Sequence, residues 1–137
     1  MDVTIAAYIA GLVDGEGSIM LNVAATHFQP SIQVVSTDLS ILTWLQQVLG
    51  CGAIRPKTQR PKYDQWTEKR RDQWTFSVNS MSDVKYILEL ILPYLRVKKR
   101  HAELLLLYCK EHVKRSSVTE VEKDIYDDLR KLNKRGK

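Results

Sequence analysis

Apolar side chains recur at helical spacing near the start of the chain, at Ile5, Tyr8, Ile9, Leu12 and Val13, with Thr4 or Asp2 available as the N-cap. The pattern predicts a first helix that runs out at Asp14-Gly15-Glu16-Gly17. The period then falls to two: Ile19, Leu21 and Val23 alternate with Ser18, Met20, Asn22 and Ala24. Pro30 marks a turn, and Ile32 and Val34 continue against Ser31, Gln33 and Val35, so a hairpin with one buried face is expected. Thr37 or Asp38 caps a second helix on Leu39, Leu42, Leu45, Val48 and Leu49, stopped by Gly50 and Gly52. A third strand is expected over 53–58, a charged loop over 59–72 and a fourth strand over 73–78, where Trp74, Phe76 and Val78 alternate with Gln73, Thr75 and Ser77. Ser82 opens a third helix, Val84 to Leu92, that Pro93 terminates, and Val97 to Val113 reads as a fourth, broken at Ser116-Ser117. Ser117 and Glu120 have capping-box spacing before a last helix with Val118, Val121, Ile125, Leu129 and Leu132 on its apolar stripe.

The order is αββαββα with an added C-terminal helix, an α+β fold in one domain over 1–137, of which 117–137 is a helical extension. Helices cover one face of such a sheet and leave the other polar. That face carries Asn22, Thr26, Gln33, Arg55, Lys57, Gln59, Gln73, Thr75 and Ser77. These groups can hydrogen-bond base edges and grip phosphates; a merely solvated face is the competing reading.

Charge sharpens the choice. The chain carries 21 Lys and Arg against 16 Asp and Glu, and the excess is local. Residues 55–71 hold seven basic and two acidic side chains, and Arg96, Lys98, Lys99 and Arg100 form a second cluster, which suits a polyanion. Cys51 and Cys109 show no paired spacing, and His27, His101 and His112 show no metal-ligand spacing. No apolar run approaches the roughly 20 residues of a membrane span, and polar Asp2 and Thr4 argue against a signal peptide, so a soluble intracellular protein with no membrane partner is expected.

Asp14 and Glu16 sit at the negative end of a helix dipole, among unpaired carbonyls. Either they bind a hard cation with nearby carbonyl oxygens, or Asp-Gly and Glu-Gly are ordinary surface turns. Ala7 and Gly11, four apart, make a smooth strip flanked by Tyr8, Ile9 and Leu12. Another backbone can approach that strip closely, either from a partner helix or from within the same chain.

Ile9-Ala10-Gly11-Leu12-Val13-Asp14-Gly15-Glu16-Gly17, followed by Ser18 and Ile19, closely resembles the motif of the LAGLIDADG homing endonucleases, and the αββαββα order fits that family over roughly 4–113. The resemblance implies a saddle-shaped antiparallel sheet on double-stranded DNA. With a single motif it also implies a homodimer paired through Ala7, Tyr8, Gly11 and Leu12. It assigns the divalent metal, most simply Mg2+, to the Glu16 carboxylate and the Gly15 carbonyl, and leaves Asp14 a supporting role. Pro93-Tyr94-Leu95-Arg96-Val97-Lys98-Lys99 resembles the family stretch with a catalytic lysine, which falls on Lys98, with Arg96 next. Family members carry water-organising polar residues after the second strand; the nearest here are the shorter Ser36 and Ser40. The implied reaction is metal-assisted double-strand cleavage of a long, roughly palindromic target. Arg55 and Lys57 are the leading groove contacts, and the 60–71 loop tracks phosphate. The alternative is a binding module or RNA maturase of the same fold. A small-molecule substrate has no support, since neither a phosphate-binding glycine loop nor a His-rich ligand set is present. Organellar residence is what this branch suggests, with a prokaryotic cytoplasm the other possibility.

Overall fold

The computed structural model describes residues 2–24, 27–57, 72–112 and 118–135. The chain runs α1 (Val3–Glu16), β1 (Gly17–Ala24), β2 (His27–Ser36), α2 (Leu39–Leu49), β3 (Ala53–Pro56), β4 (Trp74–Val78) and α3 (Met81–Ile91). A 3-10 turn (Leu92–Tyr94), α4 (Lys99–Glu111) and α5 (Glu120–Arg135) complete it. The αββαββα order read from periodicity is the order found, with both later helices in place. The strands form one antiparallel sheet in the order β1-β2-β4-β3.

Local chemistry sets the helix boundaries. Asp2 caps α1 by accepting from the Thr4 amide at 2.8 Å, and Asp38 caps α2 by accepting from the Ser40 amide at 2.9 Å. Gly50 closes α2 in the left-handed region, with φ 74°, where a side chain would be strained. Cross-strand rows Ile19–Ile32–Val78 and Val34–Phe76 put their side chains on the helix-covered face of the sheet. They pack with Ile9, Ala10 and Val13 of α1, Leu42 and Leu45 of α2, Ile87 and Leu88 of α3, and Leu105 and Tyr108 of α4. Each such large side chain contributes roughly 1.5–3 kcal/mol by leaving water.

Several boundaries differ from the pattern reading. Pro30 lies inside β2, opposite Leu21, and not in a turn. It falls beyond Ile32–Val78, the last β2–β4 pair, where β2 has a neighbour on one side only and a missing N–H is tolerated. Pro93 does not stop the chain's helical course at once: α3 ends at Ile91 and Pro93 sits in the first positions of the 3-10 turn, which lack N–H partners in any case. The third helix begins at Met81, with Ser80 as its N-cap residue. The fourth begins at Lys99. Tyr8 belongs to the outward side of α1, because the helix buries its small residues Ala6 and Ala10 against the sheet.

Ser117 lies outside the described residues. Among those described, the reciprocal capping box is Thr119 with Glu122: the Glu122 amide donates to Thr119 Oγ1 at 3.2 Å, and the Thr119 amide to Glu122 Oε1 at 3.3 Å. The other Glu122 oxygen pairs with His112 Nδ1 at 2.8 Å, tying the start of α5 to the end of α4. At its far end Asn133 donates to the Ile19 carbonyl at 3.1 Å, so α5 lies along the outer edge of β1.

Candidate active site and nucleic-acid face

The site begins where α1 becomes β1. Gly17 is extended there, with φ −104° and ψ 172°, so its role is spatial. A Cβ on it would lie 2.8 Å from the Val13 carbonyl oxygen and 3.1 Å from that of Gln33. Only glycine lets the helix end turn this tightly into the sheet.

Asp14 reaches from this helix end to the segment that precedes α4. One carboxylate oxygen accepts from the Arg96 amide at 2.8 Å; the other accepts from Val97 at 3.2 Å and Lys98 at 2.9 Å. In return Lys98 Nζ donates to the Asp14 backbone carbonyl at 3.1 Å. Burial pushes the Asp14 carboxyl up, but the amides of Arg96, Lys98 and Val97 and the Lys98 charge outweigh it and hold the group below its ordinary value. The positive charge expected from an acidic helix end thus comes, for Asp14, from amides at the start of α4 and from one ammonium group. Asp14 ties the end of α1 to residues 96–98.

Glu16 is different: it is exposed, two residues on. Gly15 is also exposed, with open space where its Cβ would be. The Asp14–Lys98 pairing therefore brings a lysine ammonium to the helix end that carries Gly15 and Glu16, which joins three of the residues singled out from sequence. His101 lies one turn into α4; burial first, then the Lys98 charge, lowers its proton affinity. Among the described residues no three His, Cys, Asp or Glu side chains gather to hold a metal.

Ser36 and Ser40 serve the start of α2. Ser36 Oγ accepts from the Asp38 amide at 2.9 Å, and the Ser40 hydroxyl donates to the Asp38 carboxylate. That hydroxyl first, and then the Ser40 amide, hold Asp38 below its ordinary pKa.

The outward side of α1 bears the strip. Ala7 and Gly11 are exposed, Tyr8 is 54% exposed and Leu12 half-buried. Among the described residues nothing lies within 4 Å of where a Gly11 Cβ would be, so their packing does not account for this glycine. Tyr8 makes an edge contact with Trp44, ring centroids 5.4 Å apart, and Thr4, Ile5, Tyr8, Ile41 and Trp44 line an apolar groove of about 380 Å³.

On the sheet face away from the helices, register groups the polar candidates into rows. Gln33 stands between Ser18 and Ser77, and Thr75 stands between Val35 and Arg55. Lys57 follows β3, exposed, its amide bonded to the Gln73 carbonyl at 2.8 Å. Thr26, Gln59 and the basic residues of 60–71 lie outside the described residues. One polar member was missed by pattern, Gln29, the direct partner of Asn22; Ser18, the partner of Gln33, was placed on this face by the alternation but not singled out as a contact. Placing the turn at Pro30 removed Gln29 from the strand. The alternation alone, carried back through the proline, finds it. Among the described residues no helix is long and apolar enough to cross a membrane.

Known proteins share this fold. The DNA endonuclease I-CvuI of Chlorella vulgaris is 29% identical over 115 residues, a match that spans 77% of this chain and 63% of the relative's length. A crystal structure of I-CvuI in complex with the I-CreI target and Mg, its DNA not cleaved, aligns over 95% of both chains with a TM-score of 0.64 at 23% identity. The meganuclease I-AabMI bound to uncleaved DNA aligns with a TM-score of 0.66 at 16% identity, over 90% of this chain but 43% of its own. The model of LAGLIDADG endonucleases matches residues 9–112, from Ile9, the first residue of the motif, to His112 at the C-cap of α4. By that match the chain belongs to the LAGLIDADG endonuclease family.

Proposed function

We propose that this chain is a site-specific DNA endonuclease that works as a homodimer and breaks both strands of a long, roughly palindromic target by metal-dependent phosphodiester hydrolysis. The observation that carries the reading is the Asp14–Lys98 pairing, which fixes an ammonium group beside the exposed Gly15–Glu16 end of the motif helix. The donors there are all oxygen, and one chain offers fewer than the six or so a hard cation takes. Gly15 O and Glu16 would hold a divalent ion, with the remaining ligands from DNA phosphate and from the second copy's helix end. Such an ion, Mg2+ by its preference for oxygen, supplies charge to polarise the phosphoryl group and acidify water. Lys98 stabilises charge that develops on the phosphate oxygens, from a position set by Asp14.

Pairing is supported by the exposed Ala7–Gly11 strip, which no packing among the described residues explains, and by the apolar groove at Tyr8 and Trp44 beside it. The 43% share of the I-AabMI chain leaves room there for a second such unit. A two-fold dimer reads a target with matching symmetry. Arg55, Lys57, Gln33, Gln73, Thr75, Ser77 and Asn22 are the base-edge and phosphate contacts of each half.

Cleavage selection from a randomised DNA pool with Mg2+ tests the whole reading. The expected result is site-specific double-strand breaks that Glu16→Gln abolishes while DNA binding persists. The use of Ser36 and Ser40 in the α2 cap favours one other reading, binding without cleavage, as in an RNA maturase of this fold. Tight binding with no breaks, indifferent to Glu16→Gln, decides for that second reading.

A further inference from the structure

We infer that Tyr126 is a positioning residue for DNA recognition: stacked on Phe28 behind the sheet, it fixes the two-stranded ribbon that presents Asn22 and Gln29, and so sets base selectivity at the outer end of each half-site. The inference rests on the reading of the free sheet face as the DNA surface.

The pairing of β2 with β4 stops at Ile32–Val78, while the pairing of β2 with β1 continues to Ala24–His27. Past Ile32 the sheet is therefore a ribbon of two strands. Such ribbons are marginal alone and their twist varies widely, so their own hydrogen bonds do not fix their pitch. Support comes from the two C-terminal helices. The Phe28 ring stacks on Tyr126 of α5, centroids 4.8 Å apart and planes 10° from parallel. It meets Tyr108 of α4 at 6.5 Å, edge to face, and the Tyr108 hydroxyl donates to the Phe28 carbonyl at 3.3 Å. Burial first, then the Glu122 and Cys109 charges, push the Tyr108 phenol up to about 12, so it keeps its proton near neutral pH. Asn133 holds β1 through the Ile19 carbonyl.

The pleat converts this support into recognition. Val23 and Phe28 are partners on the helix side; Asn22 and Gln29, the next residues, are partners on the free side, and both are exposed. Any shift of Phe28 carries Gln29 with it. A cavity of about 450 Å³ lies between β1 and α5, lined by Asn22 and Tyr126 among others, so the ribbon has room to tilt once the ring is gone. Two carboxamides side by side suit adenine edges, and each well-placed pair of bonds is worth about 5- to 100-fold in discrimination. That discrimination depends on placement to a fraction of an ångström.

The test is selection from DNA randomised across the whole site, with melting temperatures measured alongside. The double variant Asn22→Ala/Gln29→Ala should flatten preference at the outer base pairs. Tyr126→Leu should flatten the same positions by about tenfold, with preference at inner positions and the cleavage rate on the best target held within about twofold. Tyr126→Phe, which keeps the ring, should match the parent. If the double variant changes no position, the sheet-face reading fails and this inference with it. If the double variant acts while Tyr126→Leu leaves selectivity unchanged, or lowers it evenly at every position, the inference alone is overturned. Should Tyr126→Leu not fold, Tyr108→Phe decides: a smaller loss at the same outer positions supports the inference, and an unchanged profile overturns it.

Discussion

A carboxylate at the last turn of a helix meets a row of unpaired carbonyls, and Asp14 escapes that repulsion by capping the start of another helix instead. Asp14→Asn keeps the shape but leaves one acceptor oxygen where two now take three amides. It should lower stability by about 1–2 kcal/mol in denaturant melts and depress cleavage, since the 96–98 backbone that carries Lys98 is held less firmly. The sign of the pH effect follows from the depressed carboxyl. Its stabilising contribution is full above the ordinary aspartate value and drains away as pH falls through the lower folded-state value. Acid unfolding of Asp14→Asn should lack that step. Two glycines of the same motif part company. Gly17→Ala places a Cβ against backbone atoms of Val13, which cannot yield as a side-chain tip could, and should cost about 1–3 kcal/mol. At Gly11 a Cβ meets nothing among the described residues, and Gly11→Leu would extend outward from there. It should leave the melting of dilute single chains unharmed yet raise the dimer dissociation constant by about 5- to 100-fold in sedimentation, through overpacking at the partner. Sequence alone could not separate these glycines, because the path of the backbone past Val13 and Gln33 decides which one is hemmed in.

At the scale of elements, α5 is a helix with a divided character. Its first turn carries Glu120 and Glu122, and its last turns Arg130, Lys131 and Lys134, placed favourably for the helix dipole, with Lys123 the exception near the start. Thr119→Ala removes the hydroxyl of the capping box and should cost about 1 kcal/mol, seen as earlier fraying of α5 in amide exchange while α1–α3 keep their protection. The apolar periods were legible throughout, since burial of one face dictates them, and they fix the order and type of every element. The misreadings fell where local signals compete. Thr119 to Glu122 is a second Ser/Thr-x-x-Glu spacing beside Ser117 to Glu120, and it went unread although Glu122 also bonds His112 on α4. Pro30 carries the signature of a turn, and its tolerance inside β2 follows from the end of β4, which nothing local announces.

For the molecule as a whole, two basic surfaces meet the DNA on this reading: Arg55 and Lys57 near β3, and Arg96, Lys99 and Arg100 around the start of α4. Lys99→Ala should weaken binding alike on every sequence and reduce the salt slope of log K by about 1. A change confined to some sequences would place Lys99 at a base edge instead. The motif and the lysine segment were both legible in the sequence; that Asp14 clasps the amides of 96–98 was not, because those residues stand more than eighty positions apart. Rows on the free face were legible in part, up to the proline. The position of α5 along β1 has one more effect. The outer side of that eight-residue strand is an unpaired backbone edge, of the kind that templates aggregation between chains. With Asn133 bonded to it and a helix laid beside it, the edge is shielded. A protein cut short before Thr119 should therefore precipitate at concentrations the full chain tolerates, whatever becomes of its grip on DNA.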